Sequence, residues 1–491
     1  MERKRRLYFN TISALVLQMV VFVCGFILPK QILLFYGSEV NGLVTSITRF
    51  LSIISFLELG IGPVIQSNLY KPLAENNNEL VSKILVSSEK FYKKIACIFL
   101  MYIVILSLFY PKMNREFSYL YTFSMIIIIS ISTFVQYYFG ITYQVFLNAD
   151  QKIYISSILQ IFTVILNTIL CIILMQLNFS IHIVKLVSTI VFIIRPIFQN
   201  VYVRRKYVLN LKIKYEEEPI KQKWNGFAQH VAAVINENID IMLLTFFIGF
   251  QSVSIYSVYF LVISGITLVV MTPASSLESY WGNILAKEEK LLLNKSFNLV
   301  EFFIHSIVTF LYTSTAILIA PFISVYILGA KDENLYYLPA FGLLLTFAYA
   351  IQCLRIPYFR IIKAAGHYKE TQNGSFVSTI INVIISLIAV KKFGLIGIAS
   401  GTLFAMLYHT VYFAIYLRKN ILKNSFIKFL IYLFMDILVA VVVLYFSKYF
   451  SMDSKTYLAW IIYAIKVSFV SLSCVSLIFG SFYYLSKRRL F

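Results

Sequence analysis

The residues of this sequence with chemistry to perform are ionisable side chains set inside long apolar runs. The densest group is Asn236-Glu237-Asn238-Ile239-Asp240. On a helix, Glu237 and Asp240 stand three apart and Asn236 and Asp240 four apart, so three oxygen-bearing side chains share one face. Two carboxylates that close repel each other unless one is protonated or a cation lies between them. The spacing points to a coupling-ion site for Na⁺ or H⁺, with an interhelical salt bridge, or a shallower placement in which water reaches the acids, as the alternatives. Three arginines are embedded in the same way: Arg49, Arg195 and Arg355. Arg49 follows Thr45 by four residues and precedes Ser52 by three, which draws a polar stripe down one helix face. A charge at the bilayer centre costs about 2.5 to 3.5 kcal/mol on insertion scales, so each arginine should face an interior cavity. The guanidinium fork suits phosphate oxygens. A cationic lining for an anionic ligand therefore competes with plain ion pairing, for which Glu58 and Glu278 are the candidates.

Enzyme signatures are missing. The sequence has no HExxH, no paired Cys or His at metal spacing and no phosphate-cradling glycine loop. Cys24, Cys97, Cys171, Cys353 and Cys474 lie singly in apolar stretches and read as small buried residues. His182, His230, His305, His367 and His409 are dispersed and read as hydrogen-bonded fillers. Gly394, Gly397 and Gly401 form a close-packing helix face. The expectation is a chain that is no enzyme and takes no cofactor or metal other than a coupling Na⁺ or H⁺.

The elements that must hold these residues follow from composition. Of 491 residues, 59% are hydrophobic and only 13% charged, against roughly 25% charged for soluble domains. Mean hydropathy is +0.80, which makes the chain a polytopic membrane protein. Continuous runs such as MIIIISIS (Met125 to Ser132) are helical rather than the alternating strands of a barrel. The basic MERKRR start precedes an apolar run, Leu7 to Phe35, that is too long for a cleaved leader and reads as a first span. With about 20 apolar residues per crossing, fourteen spans are expected, near 8–35, 42–69, 91–110, 118–147, 153–177, 182–202, 226–249, 254–280, 298–321, 338–363, 372–390, 394–417, 426–447 and 457–485. With the N-terminus inside, 30 of the 43 Lys and Arg fall at cytoplasmic ends, 8 at outer ends and five within spans. That asymmetry places both termini in the cytoplasm. It also explains much of the +21 net charge, so no nucleic-acid partner is needed.

The chain also repeats itself. Gly37 matches Gly249, Pro63 matches Pro273, Leu73-Ala74 matches Leu285-Ala286, Ala149 matches Ala365 and Asn167 matches Asn382, at offsets of 212, 210, 212, 216 and 215. Both copies begin on the same side, so they are parallel repeats, an arrangement associated with transporters that hold a site between halves. The expected organisation is an N-terminal lobe over 1–203, a cytoplasmic linker over 204–224, a C-terminal lobe over 225–417 and two appended spans over 418–491.

The stretch LFYGSEVNGLVTSITRFLSIISFLELGIGPVIQSNLYKPLAENNN (Leu34 to Asn78), with FLNADQKIYI (Phe146 to Ile155) and NIDIMLLTFFIG (Asn238 to Gly249), resembles the bacterial polysaccharide repeat-unit flippases of the Wzx type. These belong to the polysaccharide transport branch of the MOP (multidrug/oligosaccharidyl-lipid/polysaccharide) exporter superfamily. The resemblance implies a MATE/MOP-like all-α membrane fold of fourteen helices in two six-helix lobes plus two. It implies a protein of the bacterial cytoplasmic membrane, serving O-antigen, capsule or a similar polysaccharide. Its substrate would be an undecaprenyl-pyrophosphate-linked oligosaccharide, carried to the outer leaflet by alternating access through a cationic cavity, with polysaccharide polymerase machinery as a partner. By similarity to lipid II flippases it also implies an Na⁺ site at Asp240, Asn382 and Thr402, although span 11 carries no second acid beside Asn382. A multidrug exporter of the same fold would instead need an acidic cavity. A membrane polymerase would need a large outer loop, which this sequence does not have.

Overall fold

A computed structural model describes residues 2–58, 60–113, 116–215, 218–220, 227–274 and 276–488. Every regular element among them is helical: α1 (Glu2–Ser52), α2 (Ile61–Ala74), α3 (Asn78–Met113), α4 (Tyr119–Val135), α5 (Ile141–Ala149), α6 (Ile153–Gln176), α7 (Ile181–Lys206), α8 (Phe227–Phe247), α9 (Phe250–Ala274), α10 (Ser276–Ala286), α11 (Lys290–Tyr326), α12 (Pro339–Leu354), α13 (Ile356–Ala364), α14 (Tyr368–Phe393), α15 (Leu395–Leu417), α16 (Ile427–Ser447) and α17 (Tyr457–Arg488). Twelve stretches of the described residues are long and apolar enough to cross a membrane. The first, Arg5–Glu58, is two rods, because at Gly37 the backbone turns to φ 84, ψ 179, where only glycine sits without strain. Counting that break, and α8 with its 21 residues, gives the fourteen crossings expected. The linker expectation falls partly on 216–217 and 221–224, outside the described residues.

Several crossings are broken rather than continuous. The second runs from the end of α1 through a 3₁₀ turn, Ile53–Glu58, and restarts at α2 behind Gly60, whose φ is 68. A π turn, Gln136–Gly140, separates α4 from α5. Arg355 closes α12 and caps α13, whose first turn carries Pro357 and so lacks one amide donor. Sequence periodicity cannot register such short breaks, because the apolar pattern continues across them.

The repeat is written in the backbone. Left-handed residues recur in pairs: Gly37 and Gly249, Asn76 and Glu288, Gln151 and Gly366, Asn178 and Gly394, at offsets of 212, 212, 215 and 216. The hydrogen bonds at these turns recur with them. Asn77 N–H donates to the Pro72 carbonyl at 2.9 Å, as Glu289 N–H does to Ile284 at 3.1 Å. Lys152 N–H donates to Leu147 at 2.8 Å, as His367 N–H does to Ile362 at 3.1 Å. These are the six-to-one bonds that close a helix on a left-handed residue.

The chain forms two compact units, Met1–Gln251 and Ser252–Phe491. The first packs around Leu43, Ile47, Ile65, Leu69, Leu85 and Phe99, all fully or nearly fully buried. It includes α8, which packs on α1 and on the 3₁₀ turn after it, although the repeat makes α8 the opening of the second copy. In the second unit α14 and α15 are tightly apposed, α12 packs on α15, and α16 and α17 pack on α11. Large apolar side chains project outward along the spans, Phe469 at 71% exposure and Ile388 at 75%, as expected of helices solvated by hydrocarbon.

Candidate functional site

In the first unit a polar seam runs between α1 and α8. Gly42 permits it: a Cβ there would lie 1.8 Å from the Phe250 carbonyl oxygen. The close approach lets short side chains meet. Ser46 and Thr245 hydroxyls are 2.6 Å apart, and Tyr110 donates to Ser46 at 2.7 Å. Below them Ser52 donates to Asn238 Oδ1 at 2.8 Å, while Asn238 Nδ2 donates to the Val234 backbone carbonyl at 2.8 Å. Arg49 is half-buried one turn before Ser52, and its own carbonyl accepts the Ser52 hydroxyl at 2.7 Å. The stripe expected of Thr45, Arg49 and Ser52 thus lies along this seam.

The five-residue cluster on α8 is divided by the fold. Asp240 is buried at 3% exposure and Asn238 likewise at 3%, whereas Asn236 is half-buried and Glu237 is exposed. The structure therefore does not bury the two carboxylates together. With Asn238 buried against Ser52, Glu237 stays exposed, and in a membrane span an exposed carboxylate requires water beside it.

Next to the seam is a cavity of about 290 Å³ lined by Thr48, Ser52, Ser55, Thr133 and Tyr137 among apolar neighbours. Tyr137 donates its hydroxyl to the Glu58 carboxylate. Arg195, the second predicted cation of this unit, is half-buried on α7. It makes no hydrogen bond or ion pair among the described residues. Outside the spans, Glu116 accepts the Phe250 N–H at 3.3 Å, and burial holds its carboxyl above the usual range.

The second unit holds Arg355, Asn382 and Thr402. Arg355 Nη1 donates to His409 Nδ1 at 2.5 Å, and His409 Nε2 stands 3.2 Å from Ser375 Oγ. A guanidinium has donors only, so His409 accepts at Nδ1 and carries its proton on Nε2, relaying to Ser375. Glu278, the acid considered as an arginine partner, pairs instead with Arg360 at 2.8 Å and Lys363 at 3.6 Å. Asn382 and Thr402 are buried at 0% and 2% in the seam of α14 and α15. Gly401 makes the seam close: a Cβ there would lie 2.1 Å from Ser386 Oγ and 3.0 Å from the Asn382 carbonyl oxygen. Asn382 Oδ1 accepts Ser386 Oγ at 3.1 Å. Asn382 and Thr402 thus lie on the two helices of one seam, while Asp240 belongs to the other unit.

From sequence alone His305 reads only as a hydrogen-bonded filler, and Glu301, Arg418 and the partly buried Asp436 of the second unit attract no notice. Arg418 pairs with Glu301 at 1% and 0% side-chain exposure, and His305 pairs with Asp436 at 2.6 Å. The signal for Glu301 and His305 was their i, i+4 spacing inside an apolar run.

No protein-family model and no curated protein sequence matches the chain. Solved structures do. The lipid II flippase MurJ in an inward closed conformation superposes with a TM-score of 0.69 at 17% identity, covering 97% of this chain and 99% of that one. An inward-facing multidrug resistance MATE family transporter of the MOP superfamily gives 0.61 at 15% identity over 84% and 99%. The Vibrio cholerae MATE transporter VcmN gives 0.57 at 13% over 86% and 98%. Fourteen crossings, the paired left-handed turns and near-complete superposition on MurJ lead to one conclusion: this chain has the fold of the MOP-superfamily transporters.

Proposed function

We propose that the protein is a flippase that moves undecaprenyl-pyrophosphate-linked oligosaccharide repeat units across the bacterial cytoplasmic membrane by alternating access. The observation that carries this reading is the set of arginines kept within the spans. Arg49, Arg195 and Arg355 are each half-buried, a placement too costly in lipid unless the guanidinium reaches water or an anion. A pyrophosphate bearing several sugars cannot cross hydrocarbon unaided. Forked donors along a wet path would receive its phosphate oxygens, hydroxyls such as those of Thr48, Ser55 and Thr133 would meet sugars, and the prenyl chain would remain in the bilayer. The fold shared with a lipid II flippase over nearly the whole chain supports a lipid-linked substrate. The substrate moves without covalent change, and both termini lie in the cytoplasm. A cation, Na⁺ or H⁺, taken up beside Glu237 and Asp240 would reset the emptied carrier.

The exposed Glu237 favours one alternative, export of cationic drugs by the same fold. Proteoliposomes separate the two readings. With a fluorescent undecaprenyl-pyrophosphate oligosaccharide, wild-type protein should translocate the lipid. Arg49→Ala should slow it by about 10- to 100-fold, the loss of charge-assisted bonds worth about 1.5 to 3 kcal/mol. Arg49→Lys should recover only part of the rate, because lysine keeps the charge and loses the fork. Transport of a cationic dye with no lipid translocation would replace the flippase reading by the exporter.

A further inference from the structure

The second unit carries a polar cluster that no part of the transport reading uses. It is assembled from α11, α13, α16 and the π turn Arg418–Leu422 that follows α15. His305 Nδ1–H donates to Asp436 Oδ2 at 2.6 Å, and Thr309 donates to Asp436 Oδ1 at 2.5 Å. One turn back on α11, Glu301 accepts both Arg418 Nη2 and the Tyr358 hydroxyl. Arg418 is held in place by the Asn424 side chain at 3.1 Å and the Ser425 carbonyl at 3.0 Å. Glu301 and His305 are both at 0% exposure and Arg418 at 1%.

Two features of this cluster are unusual. The first is its charge balance. Arg418 always carries a positive charge and offsets Glu301. Asp436 is then offset only if His305 holds a second ring proton; with a neutral imidazole, a net negative charge is buried in an apolar span, which is costly. The second is a set of fully buried polar atoms without partners among the described residues: His305 Nε2, Glu301 Oε2 and Arg418 Nε. With Nδ1–H given to Asp436, a neutral His305 leaves a bare lone pair at Nε2, four residues from the orphaned carboxylate oxygen and on the same helix face. Two unpartnered acceptors on one face are unfavourable. A proton at Nε2 turns one of them into a donor and balances the charge.

We propose that His305, between the Asp436 and Glu301 carboxylates, is a proton-binding site of the second unit, taking an exchangeable proton at Nε2. The titratable and charged groups around the ring are Asp436 and Tyr432 of α16, Glu301 of its own helix, Arg418 beyond α15 and Tyr358 of α13. Tyr432 stacks on the imidazole at 5.1 Å, and α17 contributes Tyr483, against Phe302 rather than against the ring. Asp436 is the member with some side-chain exposure, 12%, and so is the entry point. The consequence is mechanical. Among the described residues both side-chain bonds between α16 and α11 end on Asp436, in a seam otherwise built of Met435, Val439, Val443 and Phe302. The proton therefore sets how firmly α16, a helix outside the repeat, is fastened to the lobe.

The test needs no substrate, so it stands apart from the flippase reading. The full chain, labelled with ¹⁵N-histidine in nanodiscs, has five histidines. Solid-state NMR should show an imidazolium signal at neutral pH that is lost on raising the pH and is absent in His305→Gln. Asp436→Asn removes the charge that calls for the proton and should leave His305 neutral under the same conditions. In thermal unfolding, His305→Gln should lower the melting temperature by roughly 10 °C, the burden of one unbalanced buried charge. The double variant His305→Gln/Asp436→Asn should recover most of that fall. An imidazolium that persists in Asp436→Asn, no imidazolium assignable to His305 in the wild type, or a double variant no more stable than His305→Gln would each overturn the proposal.

Discussion

Replacing Gly42 by alanine adds one methyl group at the tightest point of the first unit. The new Cβ would stand 1.8 Å from the Phe250 carbonyl oxygen and 2.5 Å from its carbon. Both are backbone atoms, so no rotamer change can relieve the clash. Reaching ordinary van der Waals contact requires the two segments to part by more than an ångström. The Ser46–Thr245 bond, now 2.6 Å, and the Ser52–Asn238 bond, now 2.8 Å, would then stretch out of hydrogen-bonding range. Two lost bonds at about 1 kcal/mol each, with overpacking of about 1 to 3 kcal/mol, come to about 3 to 5 kcal/mol. For a unit of this size that is a fall in melting temperature on the order of 10 °C. The control is Gly62→Ala, where the nearest atom to a new Cβ is the Tyr92 hydroxyl at an ordinary 3.8 Å; it should leave stability unchanged or slightly raised. The assay is thermal unfolding of purified protein in detergent, followed by tryptophan fluorescence and by loss of the monodisperse peak. If Gly42→Ala melts together with the wild type and Gly62→Ala, the α1–α8 seam is not the close contact described.

The lysine and arginine asymmetry predicts that reporters active only outside the cytoplasm are silent when fused at Arg205 or Arg488 and active near Gly37 or Asp332; the opposite pattern would reverse the orientation. At the α14–α15 seam, Gly401→Ala should cost about 1 to 3 kcal/mol. Adding Ser386→Ala should recover only part, because the Ser386 hydroxyl is removed while the Asn382 carbonyl at 3.0 Å remains; full recovery in a melting experiment would show that the backbone contact is unimportant. Asp240→Asn should weaken the response of translocation to an imposed Na⁺ or H⁺ gradient in vesicles more than Glu237→Gln does, since Asp240 is buried and Glu237 exposed. Equal responses from both variants and the wild type would remove the cluster from ion coupling.

The crossings were legible because burial in lipid demands continuous apolar length, which any window over the sequence measures. The repeat was legible through Gly37, Gly249 and the alanine-rich turns at Ala149 and Ala365. The structure supplies the reason those offsets hold: each marks a helix closed by a left-handed residue. The partners in these pairs differ in type, Asn76 against Glu288 and Gln151 against Gly366, so letter matching sees only part of what the backbone repeats. The divided cluster on α8 was not legible. Helical spacing places Glu237 and Asp240 on one face, but which face turns inward was decided by Asn238 finding Ser52, nearly two hundred residues away in sequence. The same holds for Glu301 and Arg418, whose pairing joins distant helices, and for Glu278, which chose Arg360 over Arg355. Residue type announces that a buried charge needs a partner, and topology alone selects it.

The place of α8 in the first unit has a consequence for synthesis. A ribosome that has delivered the first six crossings has completed one copy of the repeat and yet left Ser46, Ser52 and Tyr110 without the strip of Thr245 and Asn238 that covers them. The N-terminal body can close only after the next crossing has left the translocon and folded back. Fragments divided between 203 and 225, where the duplication would suggest a cut, should therefore assemble poorly when co-expressed. Fragments divided near Gln251, where the seam is already whole, should complement one another, so that the inherited boundary and the boundary of biogenesis differ by one helix.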